Sequence, residues 1–378
     1  MAGHRVEILT LDDAAAHEPA WRDLTVRALE PNVFAEPAFV ISALRHFAGA
    51  DRLRLLFVWQ GDATELLIGV MVVQFPRGPF GFGVARVWQS DQAGLAAVML
   101  DRQSGEAAFE AMLDWIARER PTIIGLMLPS LSANGSTAQA LGAVALRRRA
   151  RLRQLYQRKR AVLIGAPHPP AGFEASLPKK RLKEWSRQMR RLKERGDVEF
   201  RTAADAAAVE AFLTLEAKGW KGAQRTALGA DAGLAAFTRS MLASLAHDGR
   251  LAIHLLELDG LALAVGVVLR SDERAFYWKT AYEESYAEYS PGLQLTLELS
   301  RVQQRDASIA ATDSCAIAGH PMIDRLWPAR LALVDCVIAI RPGASPGLGL
   351  WTASEAARRH LREAAKRAIN PWRGRKRS

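Results

Sequence analysis

Two stretches of this chain read as copies of one another, and that repeat constrains the architecture more than any other feature. The first runs from Asp51 to Pro76 and the second from Gly249 to Arg274. Each opens on Arg-Leu, continues as an apolar run, turns through Gly and Asp, and returns as a second apolar run with an internal Gly-Val. Arg52 aligns with Arg250 at an offset of 198 residues, and Gly69 with Gly266 at 197. β-rich runs around a short polar turn predict a hairpin. A period near 200 residues is too long for a solenoid and predicts a duplicated domain.

The flanking pattern repeats as well. Pro19 to Leu29 and Ala38 to Phe47 read as helices before the first hairpin. Asp205 to Lys218 and Asp231 to His247 do so before the second, with Asp205 and Asp231 as N-caps. Beyond the second hairpin, Arg274 to Tyr282 reads as an aromatic-rich strand, Ser290-Pro291-Gly292 as a turn and Leu293 to Gln304 as a helix. Then come a strand (Ile309 to Cys315), a short helix with proline in its first turn (Pro321 to Trp327) and a last strand (Leu331 to Ile340). This order predicts an α/β fold with a mixed sheet flanked by helices. The Pro/Gly-rich stretch from Gly165 to Phe173 marks a boundary. It divides the chain into residues 1–168, residues 169–342 and a basic helix and tail at 343–378.

Charge is concentrated. The chain has 378 residues and a formal net charge of +11. Arg147 to Arg195 holds 17 Lys/Arg against 3 Glu, and Glu355 to Ser378 holds 9 against 2, so the remainder is acidic. Lys179 to Arg195 reads as a basic helix closed by Gly196 at its C-terminus, with Leu182, Trp185, Met189 and Leu192 on one stripe. Such segments suit nucleic acid, an anionic membrane surface (which the tail would touch) or a polyanionic cofactor, or they are simply solvated. Two cysteines, Cys315 and Cys336, exclude a disulfide framework and a Cys/His zinc cluster. The N-terminal segment lacks the apolar run of a signal peptide, and no stretch approaches the ~20 apolar residues of a membrane span. The chain reads as cytoplasmic.

Familiar catalytic signatures are missing: GxxxxGK[ST], HExxH, GxSxG and a strand-linked GxGxxG. The Gly-rich run from Gly78 to Gly83 follows a hairpin, opens no helix, and reads as a loop between strands. The informative stretch is Phe276 to Leu299: a strand, an acidic-aromatic loop, then Ser-Pro-Gly opening a helix. Amides at a helix N-terminus, with glycine allowing close approach, form an anion site. Taken alone, the same residues also fit a plain capped helix start.

In context the second half resembles the GNAT acyltransferases, in particular the CelD/BcsL type of bacterial polysaccharide gene clusters. The residues that carry this are Leu215-Glu216, Gly219-Trp220-Lys221-Gly222, Tyr277, Lys279, Ala281-Tyr282-Glu283, Tyr286, Tyr289-Ser290-Pro291-Gly292, Asp313, His320-Pro321-Met322 and Arg325-Leu326-Trp327. In the first half, Glu30-Pro31-Asn32-Val33-Phe34 with Glu36-Pro37 is similar to the family's Asn-Pro-Phe motif. The resemblance spans most of residues 20–340. It implies two tandem GNAT-like domains and transfer of an acyl group from acetyl-CoA or another acyl-CoA, without a metal. The acceptor would be an amine or hydroxyl of a small molecule, glycan or peptide, in polysaccharide or envelope biosynthesis. One departure stands out: the family's pyrophosphate loop reads Gln/Arg-x-x-Gly-x-Gly/Ala, and here it is Tyr289-Ser290-Pro291-Gly292-Leu293-Gln294. The related Fem-type transferases share the doubled fold and use aminoacyl-tRNA, which leaves the donor open. A non-catalytic scaffold of the same fold is the third reading.

Roles follow from what acyl transfer requires: a deprotonated nucleophile, oxyanion donors and an acid for the leaving thiolate. The resemblance implies donor contacts at Lys279, Thr280, Ala281, Ser290, Pro291, Gly292, Leu293 and Gln294. Glu216 is either the general base or a helix-end carboxylate. Tyr282 and Tyr286 either serve the thiolate or pack. Asp313 sits among small apolar residues and needs a partner, His320 or Lys279, or a catalytic task. His320 is either an acid/base or a loop residue. Cys315 reads as a small packed residue. Trp220, Lys221 and Trp327 either shape the acceptor cleft or, for the tryptophans, fill the core.

Overall fold

A computed structural model describes residues 3–61, 65–77, 83–165, 172–219, 227–343 and 346–369. The elements run β1 (His4–Leu9), α1 (Leu11–Ala16), α2 (Glu18–Val26), α3 (Pro37–His46), β2 (Leu53–Gln60), β3 (Leu66–Gln74), β4 (Gly83–Val87), β5 (Val98–Leu100) and α4 (Gly105–Glu119). They continue with β6 (Ile123–Ser132), α5 (Ser136–Arg147), β7 (Leu152–Ile164), α6 (Lys179–Lys193), β8 (Val198–Ala203), α7 (Ala206–Lys218) and α8 (Ala232–His247). The rest are β9 (Leu251–Leu258), β10 (Leu261–Ser271), β11 (Arg274–Tyr282), α9 (Pro291–Arg305), β12 (Ala311–Asp313), α10 (Ile323–Leu326), β13 (Ala329–Ala339) and α11 (Pro346–Ile369).

The repeat is visible in the fold. β2–β3 and β9–β10 are antiparallel hairpins, each with one register shift. The predicted caps hold: Asp205 accepts from Ala208 N and Asp231 from Leu234 N, both at 2.8 Å. Each such cap is worth about 1 kcal/mol to its helix.

Among the described residues the strands form one mixed sheet in the order β1-β2-β3-β4-β6-β13-β7-β12-β11-β10-β9-β8, with β5 on β3. The two ends of the chain interleave at its centre. β13 pairs antiparallel with both β6 and β7, and β7 pairs on its other edge with β12. A strand from before residues 166–171 thus lies between two strands from after them.

β10 and β11 alternate their side chains between two cores. Val265, Val267, Leu269, Phe276 and Trp278 pack with α7 and α8, and Tyr277, Ala275 and Val268 pack toward α9. The first of these cores crosses the halves. Phe34 meets Phe276 and Phe39 meets Phe237 edge-on, each with ring centroids 5.2 Å apart. A polar tie runs alongside: Glu36, fully buried, accepts from Arg250 and from Ser271 Oγ.

Several sequence expectations shift. The strand expected over Ile309 to Cys315 is paired only at Ala311–Asp313. The helix expected over Pro321 to Trp327 is the four residues Ile323–Leu326. α6 ends at Lys193, and Gly196 does not take the left-handed conformation of a C-terminal glycine. A Cβ at Gly196 would meet the Asp259 carboxylate at 2.1–2.7 Å, so close approach requires the glycine there. The basic helix does present its stripe inward, with Leu192 fully buried and Leu182, Trp185 and Met189 packed beside it. Residues 78–82, 166–171 and 370–378, which carry most of the Gly-rich loop, most of the linker and the tail, lie outside the described residues.

Candidate functional site

β11 is the strand from which the site is built. Its pairing with β12 runs through Arg274, Ala275 and Phe276, and among the described residues that ladder ends there while the strand continues to Tyr282. Its other edge stays on β10, where the register jumps so that Val267 faces Lys279 while Val268 faces Tyr277. Trp278 is therefore the extra residue of a bulge, a device that re-aims backbone and side chains next to sites. Glu283 N–H donates to Leu263 O at 2.8 Å. Narrow pairs recur every second residue in an antiparallel ladder, so Thr280 and Tyr282 turn their backbone groups away from β10 and into the opening.

α9 begins at the mouth of this opening. Ser290 takes a left-handed conformation (φ 54°), and Pro291 starts the helix without an N–H to satisfy. The amides of Leu293 and Gln294 both bond the Ser290 carbonyl at 3.0 Å. The fan of free amides expected at this end therefore narrows to one: among the described residues, Gly292 N–H has no partner. A Cβ at Gly292 would lie 3.3 Å from Tyr282 Cδ1, so glycine keeps the helix start open to the strand.

Strand, helix start and the loop after β12 enclose a cavity of about 940 Å³. Its wall includes Glu216, Lys279, Thr280, Ala281, Tyr282, Ser290, Pro291, Gly292, Leu293 and His320. Most of the residues picked from sequence thus converge on one space. Glu216 is 3% exposed, and its Oε2 accepts from Leu228 N at 2.9 Å. Tyr282 is half-open at the rim. Lys279 lies over the Trp278 ring, 5.5 Å from its centroid. His320 Nδ1 accepts from the Met322 and Ile323 amides at 3.3 and 3.4 Å, which leaves Nε2 as the protonated nitrogen of the neutral ring. Burial holds its pKa below the ordinary imidazole value, against the opposing pull of Asp324.

Others lie elsewhere. Asp313 is fully buried behind the wall, where it takes Arg160 Nη2 at 2.5 Å, lies 3.7 Å from Arg274 Nη2 and accepts from Cys315 N at 3.0 Å. Its partners are two arginines, one on β7, and neither of the candidates from sequence. Gln294 is buried and donates to the Trp185 carbonyl at 2.9 Å, tying α9 to α6. Trp327 is fully buried and donates to Ser300 Oγ at 2.8 Å, which makes it a core residue. Tyr286 packs on Tyr289 and is not in the cavity wall. Trp220 and Lys221 lie outside the described residues.

Sequence reasoning missed the α6 wall, where Arg181, Glu184, Trp185 and Gln188 line the cavity. The signal was present, since a tryptophan in so basic a helix needs an apolar surface to cover. Cys315, read from sequence as a small packed residue, packs against the core around Trp278 and also lines the cavity, in a left-handed conformation (φ 51°). Burial, reinforced by Asp313, pushes its thiol up to about 12, so it stands neutral. A second cavity of about 410 Å³ opens on the far side of Trp278, Lys279, Cys315 and Ala316, which line both.

A strand splayed from its neighbour, a bulge at the splay point and a helix starting across the gap define a GNAT-like fold. Residues 179–306 match the acetyltransferase (GNAT) domain family. FemX aligns over 88% of this chain and 96% of its own at 11% identity and a TM-score of 0.54. The C-terminal domain of an Agrobacterium fabrum protein described as a lysylphosphatidylglycerol synthetase aligns over 90% and 96% at 10% identity, with a TM-score of 0.50. A tandem GNAT protein of the clavulanic acid pathway aligns over 90% and 100% at 17% identity and 0.43. No curated protein matches this chain in sequence. Among the described residues, no helix is long and apolar enough to cross a membrane, and no group of three or more His, Cys, Asp or Glu is placed to hold a metal ion.

Proposed function

We propose that this protein is an acyltransferase that moves an acyl group from a CoA thioester to an amine or hydroxyl. In this reading residues 1–168 and 169–342 are duplicated halves, and the second binds the donor. The observation that carries it is the larger cavity, where β11 beyond its ladder with β12 and the start of α9, with the Gly292 amide, share one wall. That helix start favours a phosphate, and Arg181 on α6 adds a cation to the same wall. The bulged strand turns backbone groups toward the carbonyl of a thioester lying along it, where oxyanion stabilisation is needed. The acceptor's lone pair forms the new bond to the carbonyl carbon as the C–S bond breaks. The sulfur leaves with that electron pair and takes up a proton. Glu216 or a water on it removes the acceptor's proton, and His320 Nε2–H or Tyr282, both in the same wall, protonates the thiolate.

Calorimetric titration with acetyl-CoA, followed by assay of thiol release with amine and alcohol acceptors, tests this reading. Saturable binding with acceptor-dependent thiol release is expected; absence of binding overturns it. A second reading, aminoacyl-tRNA as donor, is favoured by the basic helix that forms one wall of the cavity. It requires tRNA retention that weakens steeply with salt. An acceptor in polysaccharide or envelope synthesis belongs to the CelD/BcsL likeness, and acetylation assays on glycans against peptides test it.

A further inference from the structure

The last helix, α11, shows its apolar stripe to solvent. It is fixed to the body along one line of residues. Leu348 is fully buried and Thr352 nearly so. Arg359 reaches Asp335 at 3.2 Å and lies over the Tyr156 ring, 4.5 Å from its centroid. At about 100° per residue, the opposite line runs through Leu350, Ala353, Ala357, Leu361 and Ala364. All five are exposed, Leu350 at 75% and Leu361 at 70%. A surface helix ordinarily turns its apolar stripe to the core and its charges to water. Here the inward line ends in an arginine, and the leucines point out.

Cations edge the stripe. Arg358 and Arg362 follow one another along its flank, both exposed. Arg358 has a 3.6 Å contact with Glu355 one turn before it, an open pair of little weight. From Glu355 to Ser378 the sequence carries 9 Lys/Arg against 2 Glu. A partner must therefore be anionic and also offer an apolar layer. Nucleic acid supplies phosphates but nothing to cover the leucines. A second copy would bring two such basic segments together, and alanines at three of the five stripe positions leave a helix–helix seam little to bury. A bilayer surface with anionic headgroups meets both demands, since the acyl boundary takes the leucines and the lipid phosphates take the arginines.

We propose that α11 docks this protein on an anionic membrane surface. The helix lies in the plane of the interface, with Leu350 and Leu361 sunk among the headgroups and Arg358 and Arg362 on lipid phosphates. Its inward ties through Leu348 and Arg359 stay in place, so the body is carried with it. A short stripe with two leucines gives reversible, peripheral binding. This goes beyond the acyltransferase reading and stands or falls without it.

The test is co-sedimentation of the full chain with vesicles of phosphatidylcholine, alone or mixed with phosphatidylglycerol. The mixed vesicles should bind at least about tenfold more tightly than the neutral ones, and salt should weaken that binding. Leu350→Ser and Leu361→Ser should each lower the partition at least about fivefold, and Arg358→Gln with Arg362→Gln together at least about tenfold. Leu146→Ser, at an 82% exposed leucine on α5, should leave it unchanged. Thermal midpoints should match the natural chain throughout, because the altered positions are exposed. Acetyl-CoA affinity, measured on the same samples without vesicles, should be equal in every variant, so failure of docking and failure of the acyltransferase reading are separate results. Absence of vesicle binding, equal binding to both compositions, or binding indifferent to both leucine substitutions overturns the proposal. A solution dimer that Leu361→Ser dissociates, without vesicle binding, overturns it in favour of a second copy. Salt-sensitive RNA retention that survives both leucine substitutions, again without vesicle binding, overturns it in favour of nucleic acid.

Discussion

Gly292→Asp separates donor binding from folding. The substitution puts a carboxylate at the second residue of α9, where the unpartnered amide faces the donor cavity. A phosphate held there would lie about 5 Å from the new charge, so repulsion costs about 1–3 kcal/mol across effective dielectrics of roughly 80 to 20. That corresponds to about 5- to 150-fold in affinity. The helix gains over the same change. An acidic residue in the first turn contributes about 0.3–1 kcal/mol, and replacing glycine removes part of its helix penalty. The steric term is small: the Cβ would sit 3.3 Å from Tyr282 Cδ1, and that ring is 38% exposed and free to yield. Thermal denaturation should therefore show an unchanged or raised midpoint, while calorimetry shows weakened acetyl-CoA binding. The loss should shrink at high salt, and Gly292→Asn, alike in size but uncharged, should keep most of the affinity. A folded Gly292→Asp protein that binds acetyl-CoA within twofold of the natural chain refutes the donor placement.

His254 is buried, its Nδ1 paired with Thr202 Oγ1 and its Nε2 unpartnered, and burial pushes its pKa down to about 4 from 6.5. The folded protein keeps this ring neutral while the unfolded chain takes up a proton. Stability is thus full above pH 6.5 and falls by about 3 kcal/mol as the pH drops to 4; urea midpoints should follow that slope, and His254→Gln should flatten it. Asp313→Asn strips the carboxylate from a guanidinium with 5% exposure and should cost about 3–5 kcal/mol in denaturant titrations, with donor affinity in the folded fraction retained. Intact stability with abolished turnover would instead return Asp313 to the chemistry. Cys315, with its thiol pushed up to about 12, should label with iodoacetamide at pH 8 roughly 1000-fold more slowly than a thiol of pKa 9, as followed by intact mass.

Much of the fold was legible because it is local. Hairpin periodicity, the caps Asp205 and Asp231, and the Ser-Pro-Gly start of α9 are set by neighbours in sequence, and they stand where the sequence implies. The convergence of Glu216, Lys279, Tyr282, Gly292 and His320 on one cavity came through resemblance, since nothing in spacing alone joins residues so far apart. What the sequence does not disclose is pairing across long separations. Asp313 plainly needed a partner, but Arg160 lies 153 positions earlier on a strand read as part of the other half. Trp327 and Gln294 carried the same composition signal as their neighbours; only the packing of α9 against α6 and the core assigns one to Ser300 and the other to the Trp185 carbonyl. The bulge at Trp278 depends on how two strands register, which no single strand encodes.

Duplication raises the question of why the first half should not bind a donor as well. The helix that follows its hairpin and next strands is α4, in the position that α9 holds in the second half. Before α9 the chain offers Ser290, Pro291 and an unpartnered glycine amide. Before α4 it offers Asp101, whose Oδ1 accepts from the amides of Gln103 and Ser104 at 2.8 and 2.9 Å. That carboxylate is 4% exposed and is held on its other side by Arg27, so it does not swing away. A fixed anion already stands where a phosphate would dock, and a second anion there would meet like charge in a poorly solvated place. On the acyltransferase reading, this buried aspartate closes the first half to a donor phosphate. Its contribution lies elsewhere: β7 sends Arg160 to Asp313, the segment after β4 sends Gln92 over Trp278, and β13 locks between β6 and β7. The smaller chamber exists only because strands of both halves share one sheet. A single copy of the repeat would lack the chamber's far wall.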